Sequence, residues 1–423
     1  MQRLVDLALA AGFTSCLAAA GGSAQAADLA IAVSAGADMV NLRAQLDTFE
    51  SQTGNHVSVV EMPSSSTEQF GQYRLWLAAG NPDVDVYRTD VIWAPQLVEY
   101  FVDLSDAAAD IAGQNIPSII ESQTVDGKLV ALPLYTDAPA LYYRTDLLEK
   151  YGAEPPETWK DLEDTATMIL EKERAAGNAS LNGFVFQGAP YEGLTCNGLE
   201  WVASHGGGHI VEADGEITVN NPKAVAALGQ AKSWIGTIAP QGVLTYMEEE
   251  ARGVWQTGNA IFMRNWPYAY SLSEGADSPV SGKFAVKTLP SAEDGEAAGA
   301  LGGWNLAVSK FSRSPDDAIA LVKFLASPEN QKKNAIDGSF LPTIAALYDD
   351  PDIAKAHPFI PQWKEVMFNA VPRPTAPTKK QYNEVSKDFW TAVNETLAGR
   401  GSAEDNLKRL ETQLRRLKRS AWE

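Results

Sequence analysis

Residues 29–90 constrain the fold of this chain more than any other stretch. LAIAV at 29–33 is a short apolar run closed by Gly36, and it reads as a buried strand. Residues 39–50 then carry Met39, Leu42, Leu46 and Phe49 at helical spacing. VSVVEM at 57–62 is strand again, 67–79 reads as a helix ending near Gly80, and VDVYRTD at 84–90 is a third strand ending on an acid. This βαβαβ rhythm requires a parallel sheet with helical crossovers. Open sheets of that kind bind ligands beyond the carboxyl ends of their strands. Asp90 and Ser65 fall at those ends.

A second region begins near 137. It holds PALYYRTDLLEK at 139–150 and PPETWKDLEDTATMIL at 155–170, where Thr158 and Asp161 have capping-box spacing ahead of an amphipathic helix. Further on, the pattern predicts a helix over 221–236, a strand over 304–309 and a helix over 316–326. The tail 402–418 places Leu407, Leu410, Leu414 and Leu417 on one helical face. The chain shows no internal repeat, low-complexity segment or long linker, and its 423 residues suffice for two or more domains.

The N-terminus reads as a secretory signal. Arg3 precedes an apolar run from Leu7 to Ala20, and AQA at 24–26 offers a small-x-small cleavage site. The expected product is exported and soluble. FTSC at 13–16 faintly resembles a lipoprotein cleavage box, so a lipid anchor at Cys16 is the alternative. Cleavage after Ala26 leaves Cys196 as the one cysteine, without an intramolecular disulfide partner. Fifty-four acidic against 34 basic residues give a net charge of −20, which argues against binding nucleic-acid phosphates or an anionic membrane surface.

Several chemistries lack their residues. Of four histidines, only His205 and His209 pair, across three glycines, with no third metal ligand nearby. HGGG at 205–208 has the form of an esterase oxyanion loop, but no G-x-S-x-G nucleophile exists. Neither a P-loop nor a dinucleotide fingerprint is present, and no cofactor is expected. Carboxylate pairs for glycoside hydrolysis stay open, because acids abound.

What the chain does carry is a recurrent mixture. RTDVIW at 88–93, PLYTDAP at 133–139, PYEG at 190–193, RNWPYAY at 264–270, GGWN at 302–305 and VPRP at 371–374 each join an aromatic or Arg to a carboxylate, amide or glycine, or to proline. A sugar site is composed this way. Aromatic rings cover the C–H faces of a pyranose. Acids, amides and Arg take its hydroxyls in charge-assisted hydrogen bonds. On composition alone, aromatics in the core and solvated charges explain the pattern equally well. Trp93, Trp159 and Trp201 are read as core.

The order of these segments resembles bacterial extracellular solute-binding proteins, family 1, of the sugar-specific ABC-import type, above all the trehalose/maltose-binding members. The resemblance spans essentially the whole mature chain. It is carried by DVDVYRTDVIWAPQL at 83–97, LVALPLYTDAPALYYRTDLLEKYG at 129–152, PPETW at 155–159, YEGLTCNGLEW at 191–201, MRNWPYAY at 263–270, LGGWNLAVSK at 301–310, FLASPENQ at 324–331 and AVPRP at 370–374.

That resemblance implies an α/β, two-lobed periplasmic binding protein fold with discontinuous lobes joined by a hinge. Carried over, a signal peptide takes 1–26, lobe 1 takes 27–136 and 300–345, and lobe 2 takes 137–299 and 346–423. It implies a non-enzymatic, periplasmic, monomeric carrier that delivers a disaccharide to the permease subunits of an ABC importer. Trehalose is expected first, then maltose or sucrose. The rivals are a secreted glycoside hydrolase and a transporter-independent carbohydrate-recognition protein. By the same resemblance, Asp38, Ser65, Arg74 and Asp90 bond sugar hydroxyls from lobe 1, and Tyr135 and Asp137 lie by the first crossing. Trp266 is the stacking platform of lobe 2, held stiff by Pro267. Gly303 and Trp304 stand at the return to lobe 1, Arg373 clamps hydroxyls from lobe 2, and Glu192, beside Tyr191, joins the set.

Intact-mass analysis of protein exported by the native host is predicted to give a chain starting at or next to Ala27. A diacylglycerol-modified Cys16 overturns that prediction.

Overall fold

The computed structural model describes residues 26–35 and 38–422, with the side chains of 38–40, 420 and 421 left out. The signal-peptide reading and Cys16 lie outside the described residues, and so does the side chain of Asp38. Among the described residues, eleven strands run β1 Asp28–Ser34, β2 His56–Met62, β3 Val86–Asp90, β4 Thr124–Val125, β5 Lys128–Leu129, β6 Leu132–Asp137, β7 Ala140–Arg144, β8 Asn182–Val185, β9 Ala260–Asn265, β10 Phe284–Lys287 and β11 Gly302–Val308.

They form two main sheets and one small hairpin. The first sheet has the order β2-β1-β3-β11-β6, with β1, β2 and β3 parallel and β11 antiparallel to both its neighbours. The second has the order β10-β7-β9-β8. The chain passes from the first sheet to the second between Asp137 and Ala140, and returns between Lys287 and Gly302. The fold is therefore α/β and two-lobed, with the first sheet assembled from distant parts of the chain.

Local sequence explains the elements. β1 is buried at every position after Asp28, as a strand covered on both faces must be. The helix Asp38–Thr53 buries Leu42, Leu46 and Phe49 against this sheet, together with Leu321 and Leu325 from the helix Pro315–Leu325. Thr158 caps the helix Trp159–Ala175: its hydroxyl accepts the Asp161 N–H at 3.0 Å, and the Asp161 carboxylate accepts the Thr158 N–H at 3.0 Å. In the C-terminal helix Ala403–Ala421, Leu407, Leu410 and Leu414 are buried in the core around Trp159, Trp201 and Trp234.

The helix Glu192–Ser204 is the axle of the second sheet's side. All of its residues but Ala203 are buried, so it has no solvent face. Burying it required an answer to Glu200, which is completely enclosed. Arg264 from β9 supplies it: its Nε donates to Glu200 Oε2 at 2.9 Å, its Nη2 bonds Glu200 Oε1, and its Nη1 reaches Gln187 Oε1 at 3.0 Å. Glu200 Oε1 also accepts the Ala300 N–H at 3.3 Å, just ahead of β11. Helix, sheet and return crossing thus share one carboxylate.

Removing one member of such a pair strands the other charge. Arg264→Met is predicted to cost about 3–5 kcal/mol in urea unfolding, and Glu200→Leu on top of it to restore most of the loss.

Candidate functional site

The strand directions gather the site. β1 and β3 end at the same edge of the first sheet; β6, parallel to them across the intervening β11, ends there too, and β11 begins there. The register sets Trp304 beside Asp90 on one neighbour and Tyr135 on the other, and Gly302 beside Asp137. In the second sheet, β9 ends at Asn265 opposite the start of β7. Trp266 and Pro267 follow directly, before the short helix Ala269–Ser273. Between these two edges lies a cavity of about 140 Å³.

Of the residues expected at the site, Asp90, Tyr135, Asp137, Glu192, Trp266, Gly303, Trp304 and Arg373 line this cavity. Two others do not. Ser65 is the N-cap of the helix Ser66–Ala78, and its hydroxyl accepts the Glu68 N–H at 3.4 Å; Ser64 and Ser66 face the cavity instead. Arg74 sits one residue past the buried Tyr73, on the solvent side of the same helix, with its guanidinium 5.8 Å from the Phe70 ring. The structure thus sets Ser65 and Arg74 off the cavity that the other expected residues line.

Both cleft tryptophans are backed by an arginine. The Arg264 guanidinium lies 4.0 Å from the Trp266 ring centre, and that of Arg88 lies 3.8 Å from the Trp304 ring centre. The Trp266 backbone carbonyl accepts the Tyr142 hydroxyl at 2.7 Å, and Ser339 Oγ donates to the Pro267 carbonyl at 2.8 Å. RNWPYAY is thus a strand end pinned from behind. Its Tyr268 also lines the cavity, whereas Tyr270 turns into a core with Phe284, His357 and Phe359. Trp93 is buried and meets Trp304 edge-on at 5.7 Å.

Two glycines are required by close approach. A side chain at Gly302 would come within 3.1 Å of the Trp266 ring and 3.0 Å of Asp137 Cβ. Gly303 has φ +137°, and a Cβ there would meet the Tyr135 carbonyl at 3.0 Å.

The charges are arranged around Arg373. Its Nη2 donates to Asp90 Oδ1 at 2.6 Å and its Nη1 to Glu192 Oε1 at 2.9 Å. All three are buried. Glu192 is committed further: Tyr382 and Ser386 both donate to it, Ser386 at 2.6 Å. It braces Arg373. The Glu192 N–H also donates to Thr67 Oγ1 at 3.1 Å, joining the two sides directly.

Asp137 differs. It is 6% exposed, and its Oδ1 has no hydrogen-bond partner. Burial, opposed by the charge of Arg88 and aided by that of Asp90, pushes its carboxyl up to about 8. At neutral pH it is a protonated acid able to donate as well as accept. Burial also raises Glu192 and Glu248. The Cys196 thiol lines the same cavity and is pushed up by burial, so it is held as the thiol.

Sequence reasoning passed over Arg88, Tyr268, Glu248 and Glu249, all of which line the cavity. Arg88 and Tyr268 stood inside segments that had been singled out. EEE at 248–250 had no aromatic or proline to mark it. Among the described residues, no group of three or more His, Cys, Asp or Glu could hold a metal, and no helix is long and apolar enough to cross a membrane.

Two sheets, two crossings and a polar, aromatic-walled cavity between strand ends define a cleft-type binding protein. The family model described as "Bacterial extracellular solute-binding protein" matches residues 44–361. A probable ABC transporter-binding protein of Deinococcus radiodurans is 47% identical over 379 residues, 89% of this chain and 90% of that one. The structure of maltose-bound T. maritima MalE3 superposes with a TM-score of 0.88 at 39% identity, covering 93% of this chain and 100% of that one. The GacH receptor of Streptomyces glaucescens, solved unliganded and with acarbose, shares the fold at a TM-score of 0.82 and 22% identity, over 94% and 100% of the two chains. The chain belongs to the bacterial extracellular solute-binding proteins.

The protonated Asp137 predicts a pH signature. The folded carboxyl holds its proton to about pH 8, against an ordinary value of 3.8 in the unfolded chain. Folding therefore binds a proton in that window, and this contribution to stability is full below it and lost as pH rises through about 8. Glu192 and Glu248 act in the same direction. Urea unfolding of Asp137→Asn across that window should show a shallower decline than the wild type.

Proposed function

We propose that this chain is the extracytoplasmic, periplasmic substrate-binding protein of an ABC sugar importer, and that its ligand is a disaccharide, trehalose first, then maltose or sucrose. The observation that carries this reading is the pair of arginine-backed indoles, Trp304 from the first sheet and Trp266 from the second, lining one cavity with Asp90, Asp137 and Arg373. Flat apolar rings and hydrogen-bonding groups, both charged and neutral, together match a pyranose. The likeness to a maltose-bound protein at 39% identity supports an α-linked disaccharide. Membership of a family of solute-binding proteins favours carriage over hydrolysis.

In this reading Asp38, Asp90, Tyr135, Asp137, Trp266, Gly303, Trp304 and Arg373 meet the sugar, and Glu192 holds Arg373. Lobe 1 comprises 27–136 and 300–345, and lobe 2 the remainder of the mature chain. The monomer closes on the sugar by hinge motion and presents both lobes to the permease.

Calorimetry with trehalose, maltose, sucrose, palatinose and glucose tests the reading. Saturable binding of a disaccharide without release of monosaccharide supports it; binding of none of the five, or hydrolysis, overturns it. Trp266→Ala should then weaken the preferred sugar by about 5- to 150-fold, the loss of about 1–3 kcal/mol of ring stacking. The ligand-free melting temperature should barely move. A large fall in melting temperature with unchanged affinity makes Trp266 a core residue instead.

A further inference from the structure

Three consecutive glutamates open the helix Glu248–Gln256, and the structure gives each a different task. Glu250 Oε2 accepts the Met247 N–H at 2.9 Å and caps the helix. Glu249 accepts the Tyr268 hydroxyl at 2.7 Å and pairs with Arg252. Glu248 turns to the cleft. Its Oε2 accepts the Tyr191 hydroxyl at 2.6 Å, and its Oε1 accepts the Trp266 Nε1–H at 3.3 Å. Tyr191 stands immediately before the helix Glu192–Ser204 and Trp266 immediately after β9, 75 positions apart in sequence. One carboxylate joins them.

We propose that Glu248 is a positioning residue for sugar recognition: it locks Tyr191 and Trp266 into a single rigid wall of the cleft. The inference rests on the sugar-binding reading above and adds to it a residue that touches the walls of the site. Trp266 is then fixed in three independent ways. Tyr142 holds its backbone carbonyl, Arg264 covers one ring face, and Glu248 sets the rotation of the ring by its edge. An indole fastened only by its backbone and one face can still swing about its side-chain torsions; the edge bond removes that freedom. A wall ordered before the ligand arrives spares the ligand the cost of ordering it. The carboxylate suits the task because it accepts two donors on two oxygens. A glutamine with its oxygen on Trp266 can still meet the Tyr191 hydroxyl, by donating its amide N–H to it, whereas a leucine of similar size meets neither aromatic.

The test has two readouts on the full-length protein. With ¹⁵N-labelled tryptophan, the Trp266 indole N–H resonance is identified by its disappearance in Trp266→Phe. In Glu248→Leu without sugar, that resonance should shift while the protein still unfolds cooperatively; a resonance that stays in place overturns the contact. For the preferred sugar, Glu248→Leu should weaken affinity about tenfold or more, the usual scale for a lost hydrogen bond to a charged group. In a Tyr191→Phe/Trp266→Phe background, where a smaller aromatic ring remains at position 266 and both donors are gone, the same substitution should have little further effect. A full-size loss there means Glu248 acts on the sugar directly and overturns the positioning role. If the wild type binds none of the sugars, the disaccharide reading fails while the resonance still reports on the Glu248 contact.

Discussion

Arg373 is the constraint around which the rest is organised. It is a buried cation between two buried carboxylates, Asp90 at the end of β3 and Glu192 at the start of the long buried helix. Taking three charges out of water is expensive, and their mutual attraction offsets that cost only while the geometry holds. The arrangement is therefore a poor source of net stability and a good source of definition. Asp90 belongs to the first sheet, Glu192 to a helix packed on the second, and Arg373 to a segment that follows both in sequence. In the hinge motion proposed above, the three groups would recover water as the two sides part, so that the closure they hold would be reversible, as carriage requires.

Much of the fold was legible because short-range chemistry decided it. The strand and helix periods of 29–90, the Thr158 cap and the leucine face of the last helix are all local facts, and the structure keeps them within a few residues. The cavity was legible in part because its chemistry is concentrated at strand ends or beside proline: Asp90, Asp137, Gly303 and Trp304 stand at strand ends, and Trp266 and Arg373 adjoin prolines. What failed were one-residue distinctions. Ser65 and Ser66 differ in sequence by nothing, yet one is an N-cap and the other faces the cavity. Arg74 and Tyr73 are adjacent, but a helix turns about 100° between them. EEE at 248–250 carries no aromatic, proline or glycine to set it apart, and only the tertiary approach of Tyr191 and Trp266 gives Glu248 its place.

The place of β11 carries a consequence for how such a molecule comes into being. It lies between β3 and β6, but it is made more than 160 residues after Asp137. Without it, the two strands that flank it have open inner edges, and nothing in the sheet joins the parallel trio to β6. Neither lobe's sheet corresponds to a continuous length of chain that could be cut out and folded alone. Closing so long a loop is entropically slow, and proteins rich in such distant pairings fold late and all together. A chain built this way postpones its own compaction. Were the chain exported as proposed above, that delay would suit a polypeptide threaded across a membrane before it takes its shape.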